Sequence, residues 1–152
     1  MKSLENWLLR KKASAVAKGS SMSEGELLIA NETKAKLPSF TFALVKKIKR
    51  KILGKNYRLN IIFVGNARSR VLNSVYRKIN KPTNILSFPI EKQNGEIYLT
   101  PQKIKSEIKI FNRDFDNLVI FLLIHGMFHL KGERHGSRME SKEIKVRKDF
   151  NI

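Results

Sequence analysis

Apolar residues recur along the chain at spacings that predict short strands alternating with helices. A strand is predicted over residues 27–30 and a helix over residues 40–53, where apolar side chains repeat every three to four positions. The apolar side of this helix is predicted to consist of Phe40, Leu44, Ile48 and Ile52. The other side is expected to expose a row of basic residues, namely Lys46, Lys47, Lys49, Arg50 and Lys51.

The middle of the chain predicts three more strands, with a helix between the first and the second of them. Residues 59–65 are rich in β-branched side chains and predict a strand. A helix follows over residues 67–78, and its inward side is predicted to be Val71, Leu72, Val75 and Ile79. Residues 85–90 contain Pro89 and therefore fit a strand at a sheet edge, because proline cannot donate a ladder hydrogen bond. A further strand over residues 96–99 is expected after a turn at Asn94-Gly95.

The C-terminal part of the chain predicts three helices. Pro101 suits the first turn of a helix that ends near residue 111. Asp116 is expected to cap a helix over residues 118–131, and Gly132 is expected to end it. A charged helix over residues 137–148 comes last.

Helices and strands thus mix without a regular βαβ repeat. The predicted fold class is α+β, with a small mixed sheet packed against helices in a single compact domain. Residues 1–25 are rich in Ala, Ser and Lys and are expected to form a flexible N-terminal extension. The domain itself is expected to span residues 26–152.

Composition and charge narrow the class of protein. With 152 residues, 41% of them hydrophobic, the chain is large enough for one core without disulfides, and it has no cysteine. That fits a reducing cytoplasm, and no apolar run approaches the roughly 20 residues of a membrane span. The 31 Lys and Arg against 13 Asp and Glu give a net charge of +18, which favours a polyanionic partner such as RNA. The row of basic residues is its expected binding surface, unless it is only a solvated face.

All three histidines of the chain fall between positions 125 and 135. His125 and His129 are four residues apart on a predicted helix, so they share one face. Gly132 allows the chain to turn, and His135 can then fold back toward the same point. Three converging imidazoles leave a fourth tetrahedral position for water. The cluster predicts one metal ion per chain, with zinc expected because it needs no redox partner; hydrogen-bonded structural histidines are the alternative.

The cluster differs from the common metalloprotease pattern H-E-x-x-H. In that pattern the residue after the first histidine is a glutamate that acts as general base. Here the position is occupied by Gly126. The sequence therefore argues against a peptidase.

Two separate stretches carry a resemblance to a known family. Residues 125–135 resemble the pattern H-G-x-L-H-L-x-G-aromatic-D-H of the YbeY endoribonuclease family. Residues 73–77 and 82–89 resemble its N-x-x-Y-R and P-T-D/N-V-L-S-F-P segments, in the family's order. Shorter matches are Gly95-Glu96-Ile97 to its G-D-I strand, and Met139, Glu140 and Glu143 to its M-E-x-x-E. The resemblance covers roughly residues 27–150.

The resemblance implies a compact α+β fold in which His125, His129 and His135 hold one zinc ion. It implies a metal-dependent endoribonuclease for single-stranded RNA, which acts in 3′-end maturation of 16S ribosomal RNA and in late ribosome quality control. The expected partners are small-subunit ribosomal RNA and ribosomal proteins. By position, Arg77 resembles the family's functional arginine, so Arg77 and the three histidines are the expected catalytic residues.

Departures from the family pattern leave other functions open. Glu133 replaces an aromatic residue and Arg134 replaces an Asp that could orient a metal-binding histidine, while Phe128 replaces a Leu. One alternative is a zinc-stabilised RNA-binding assembly factor without catalysis, and another is a metallohydrolase of a small phosphoester or amide. Ser87 and Thr83 can offer hydroxyl groups to phosphate or serve in turns and caps.

Overall fold

A computed structural model describes residues 25–152, so the predicted extension at residues 1–25 lies outside the described residues apart from Gly25. The strands of this part are β1 (Leu27–Asn31), β2 (Arg58–Phe63), β3 (Ile85–Glu91) and β4 (Asn94–Leu99). The helices of this part are α1 (Phe42–Leu53), α2 (Asn66–Arg77), α3 (Pro101–Phe111), α4 (Phe115–Leu130) and α5 (Ser137–Asp149). No helix within residues 25–152 is long and apolar enough to cross a membrane.

The sheet has the strand order β1-β2-β4-β3. β1 and β4 both pair with β2 in parallel, whereas β3 pairs with β4 in the antiparallel direction. The alternation of apolar residues turns Leu59, Ile61 and Phe63 toward one buried face. β3 lies at the sheet edge, as Pro89 predicted. The α+β class with a mixed sheet and a single compact domain is confirmed.

α4 is the central helix of the core. It packs against α1, α3 and α5 and against strands β3 and β4. Its N-cap is Asp114, whose side chain accepts a hydrogen bond of 2.8 Å from the Asn117 backbone N–H. The predicted cap, Asp116, was wrong, because its carboxylate instead accepts from the Ser39 backbone N–H at 3.1 Å.

The inward side of α2 also differs from the prediction. Leu72 is buried, but Val71 and Ile79 are among the exposed large hydrophobic residues. The side of α2 that faces the protein includes the polar residues Ser69 and Asn73. The Ser69 hydroxyl donates to the Thr83 carbonyl, and the Asn73 side chain donates to the carbonyl of Lys81. This polar side therefore holds the segment that leads into β3.

Lys49 was predicted on the exposed basic side of α1, but it is fully buried. Its ammonium group donates a hydrogen bond of 2.7 Å to the carbonyl oxygen of Gly25. Burial, and then the charges of Arg50 and Lys46, lower the pKa of Lys49. The basic residues that α1 leaves exposed are therefore Lys46, Lys47, Arg50 and Lys51.

The turn predicted at Asn94-Gly95 lies two residues earlier, at Lys92 and Gln93, and both predicted turn residues belong to β4. A Cβ atom at Gly95 would lie against the Tyr57 hydroxyl oxygen and 2.9 Å from a methyl carbon of Leu130 on α4. Any side chain at this position would therefore require the Tyr57 and Leu130 side chains to shift.

Candidate metal centre

The last two turns of α4 bring two histidines together. His125 and His129 are one turn apart and half-buried, and their Nε2 atoms lie 3.1 Å from each other. Their ring centroids are 4.6 Å apart. The i, i+4 spacing therefore places both imidazoles on one face, as predicted.

A tight loop after α4 returns the third histidine to the first two. Gly132 has φ +96°, a conformation that side-chain-bearing residues rarely adopt. Beyond it, the Glu133 backbone N–H donates to the Phe128 carbonyl at 3.0 Å. The ring centroid of His135 then lies 5.0 Å from that of His125 and 4.4 Å from that of His129.

One ligand atom from each of the three histidines lies within 4.8 Å of the other two. The structure thus brings together the three residues that the sequence predicted as metal ligands.

Two of the imidazoles are oriented through their second ring nitrogen. His125 Nδ1 donates to the carboxylate of Glu143 on α5 at 2.6 Å, and His129 Nδ1 donates to the Glu133 backbone carbonyl at 3.1 Å. Outer hydrogen bonds of this kind fix the tautomer and orientation of metal-binding histidines. Glu143 is buried. Glu143 was assigned no role from the sequence, although its place in the M-E-x-x-E match was a usable signal.

The hydrogen bonds at Nδ1 decide whether the site fits a cation. With both Nδ1 atoms donating, the Nε2 atoms of His125 and His129 are acceptors whose lone pairs face each other. Such a pair is favourable only with a proton or a cation between the two atoms. Burial, and next the neighbouring His125, lower the pKa of His129, so its ring favours the neutral form that ligates metals. The donor set therefore fits a metal such as zinc.

The departures from the family pattern have a structural account. Glu133 supports the site through its backbone carbonyl, while its carboxylate forms an ion pair with Lys142 on α5. This contact to Lys142 is the main cause that lowers the pKa of Glu133. Arg134 is exposed. The acceptors for the two helical histidines thus come from Glu143 and a backbone carbonyl and do not depend on position 134.

The histidines line a cavity of about 580 Å³. Arg77, at the end of α2, is exposed and lines the same cavity, as does Ser87 of β3. Thr83 does not line it: its hydroxyl donates to the Ile85 carbonyl at 3.5 Å, and its backbone N–H and carbonyl are bound to the Ser69 hydroxyl. Of the side chains suggested for phosphate contact, Arg77 and Ser87 therefore lie at the site. Thr83 lies outside it and connects the segment before β3 to Ser69 of α2.

Gly126 permits the close approach of α4 to the sheet beside the first histidine. A Cβ atom there would lie 2.7 Å from the Ser87 hydroxyl oxygen and 2.8 Å from the Cδ1 atom of Ile85. Both distances are shorter than ordinary van der Waals contacts, so a methyl group would require the Ser87 and Ile85 side chains to shift. A glutamate at this position, which is the general base in H-E-x-x-H peptidases, would therefore need its neighbours on β3 to rearrange.

Comparison with known proteins finds one family. A family model described as endoribonuclease YbeY matches residues 28–151. The endoribonuclease YbeY of Thermodesulfovibrio yellowstonii is 36% identical over 74% of this chain and 77% of its own. That of Thermotoga neapolitana is 33% identical over 77% of this chain and 78% of its own. That of Acholeplasma laidlawii is 32% identical, and the match spans 57% of this chain and 66% of that relative's length.

A solved structure has a fold similar to that of this chain. The solution structure of a protein from Thermotoga maritima superimposes with a TM-score of 0.58 at 26% sequence identity. The match covers 83% of this chain and 92% of that chain. Arg77 and the three histidines all lie inside the range matched by the family model.

Proposed function

The chain belongs to the YbeY endoribonuclease family, and on that premise we propose that it uses one zinc ion to cut single-stranded RNA. The family's activity makes RNA the substrate and the chain a metal-dependent hydrolase. The proposed substrate is small-subunit ribosomal RNA, with action in 16S 3′-end maturation and late ribosome quality control in the cytoplasm. Ribosomal proteins are further proposed partners, and residues 26–152 are the proposed catalytic unit.

The observation that carries this proposal is the convergence of three imidazoles in an accessible cavity. His125 and His129 have their Nδ1 atoms engaged by Glu143 and the Glu133 carbonyl, which leaves the Nε2 atoms as ligands. His135 is exposed and completes the set. A structural zinc site would be closed by four protein ligands, whereas three ligands beside a cavity of about 580 Å³ are typical of a catalytic one.

The chemistry is divided between the metal and the residues of the chain. When bound, zinc supplies a Lewis acid that lowers the pKa of water to about 7 and polarises a phosphoryl oxygen. Arg77 is proposed to bind a second phosphoryl oxygen, because its planar guanidinium offers paired donors to developing negative charge. Glu143 holds His125 in one tautomer. The exposed basic residues of α1 are proposed to attract the RNA backbone, namely Lys46, Lys47, Arg50 and Lys51.

A cleavage assay with matched substrates tests the proposal. Zinc-loaded protein should cut a single-stranded RNA and leave a duplex of the same sequence intact, and a chelator should stop the reaction. RNA binding without cleavage under all metal conditions would favour the non-catalytic assembly factor. Turnover of a small phosphodiester with no cutting of RNA would favour the small-substrate hydrolase.

Arg77→Lys is expected to slow RNA cleavage while zinc content stays the same. Lysine keeps the positive charge but loses the paired donors, so the loss should fall on kcat more than on RNA binding. A drop of about 10-fold to 100-fold corresponds to one charge-assisted hydrogen bond. Steady-state cleavage kinetics measure it, with Lys78→Arg as the control for an exposed basic neighbour. An unchanged kcat would make Arg77 a positioning or structural residue only.

A further inference from the structure

A second arginine lines the cavity that contains the three histidines. Arg147 lies on α5, and only 13% of its side chain is exposed. Its buried Nη1 atom has no hydrogen-bond partner within residues 25–152. A buried guanidinium that leaves a donor unused is costly unless a ligand or another group satisfies it. Arg147 has no part in the metal binding proposed for the three histidines or in the phosphate contact proposed for Arg77.

The carboxylate within ion-pair range of Arg147 does not accept a hydrogen bond from its guanidinium. Glu143 Oε2 lies 3.9 Å from Arg147 Nη1, which is within ion-pair range but too long for a hydrogen bond. The other carboxylate oxygen of Glu143 is engaged at 2.6 Å by His125. Arginine has five N–H donors, so Arg147 retains donors for an additional acceptor.

An aromatic ring holds Arg147 in place. The guanidinium carbon lies 4.7 Å from the ring centroid of Phe121, and that of Arg113 lies 4.3 Å from the same centroid. Burial, and then the charge of Arg147, lower the pKa of Arg113. Two cations thus share one ring, and among residues 25–152 Glu143 is the one carboxylate within ion-pair range of Arg147. The local excess of positive charge favours an anion.

We propose that Arg147 binds a phosphate of the single-stranded RNA substrate, next to the phosphate that is cut. This inference rests on the proposed function, since it assigns a second phosphate contact to the same site. Arg147 reaches the cavity from α5 and Arg77 from α2, so the two contacts come from different elements. The cavity of about 580 Å³ falls within the range of small-ligand pockets and therefore has room for more than one phosphate group.

A positioning role through Glu143 is the other role that the same contacts allow, and it predicts different measurements. A phosphate contact contributes to RNA affinity and to its salt dependence, and it leaves zinc affinity unchanged. A positioning residue acts on His125 through Glu143, so its loss lowers zinc affinity and does not change the salt dependence of RNA binding.

The test compares Arg147→Gln with Lys148→Gln, which removes the same charge from the exposed neighbour on α5. Zinc-loaded proteins are mixed with a fluorescent single-stranded RNA between about 50 and 200 mM salt, and binding is read by stopped-flow anisotropy before the first turnover, with a gel of quenched samples to confirm that the RNA is still intact. Arg147→Gln should weaken binding roughly 10-fold or more and reduce the salt slope by about 0.7. Lys148→Gln should change affinity by less than about 3-fold, and chelator competition should give wild-type zinc affinity for both.

The possible outcomes separate the proposals. Equal RNA affinity and salt slope in the two variants would overturn the inference, as would a loss confined to zinc affinity. Arg147→Lys keeps the charge and an aliphatic stem, so its RNA affinity should lie between those of wild type and Arg147→Gln. If the glutamine variant does not fold, Arg147→Lys is compared with Lys148→Gln in its place. Wild-type protein that fails to bind single-stranded RNA would overturn the proposed function itself, before Arg147 is considered.

Discussion

Replacing His129 with alanine should remove nearly all zinc from the purified protein and abolish metal-dependent RNA cleavage. His129 is the histidine nearest to both others, with its Nε2 atom 3.1 Å from that of His125 and its ring centroid 4.4 Å from that of His135. Loss of an outer partner of a ligand typically lowers metal affinity about 10-fold to 100-fold, and loss of the ligand itself should exceed that range. Elemental analysis and chelator competition measure the effect.

The matched control is Lys131→Ala, which truncates an exposed side chain at the end of α4. It should keep both zinc and activity. His125→Ala should behave as His129→Ala does. Full zinc occupancy in either histidine variant, with the fold intact by circular dichroism, would contradict the assignment of the metal centre.

Glu143→Gln should lower zinc affinity by about 10-fold to 100-fold while the protein stays folded. The amide has the shape of the carboxylate, so the packing of α5 is preserved. It lacks the negative charge that favours His125 in its ligating tautomer across the 2.6 Å contact. Chelator competition at fixed pH gives the affinity, and cleavage at saturating zinc shows whether activity recovers when the site is filled.

Glu140→Gln provides the comparison, because Glu140 lies on the same helix and is exposed, with no contact to a histidine among the described hydrogen bonds. It removes the same charge near the same cavity. If the two variants bound zinc equally well, the contact between Glu143 and His125 would have no part in metal binding.

The metal ligands could be predicted because their geometry is local. His125 and His129 share a helical face through spacing alone, and Gly132 marks the turn that returns His135. Glu143 was not assigned, because its contact with His125 depends on the angle at which α5 packs against α4. Nothing in the spacing of residues 125–135 specifies that angle.

Long-range partners also explain the errors in the fold. Lys49 has a basic side chain on a helix with a clear apolar face, which predicts exposure, yet the Gly25 carbonyl accepts its hydrogen bond from a distant segment. α2 was assigned an apolar inner side, but Ser69 and Asn73 face the chain segment before β3. Periodicity describes each element by itself and cannot show that a neighbouring backbone will satisfy a buried polar group.

The close approach at Gly126 limits how this scaffold can evolve. In sequence, this histidine pattern differs from the H-E-x-x-H peptidase pattern by one substitution, Gly126→Glu. In this fold the Cβ atom of that glutamate would lie 2.7 Å from the Ser87 hydroxyl oxygen and 2.8 Å from Ile85 Cδ1, so both side chains would have to shift or become smaller. Substitutions of residues in contact couple in their effect on stability. A glutamate after the first histidine is therefore not an independent change on this scaffold, because its effect on stability depends on positions 85 and 87.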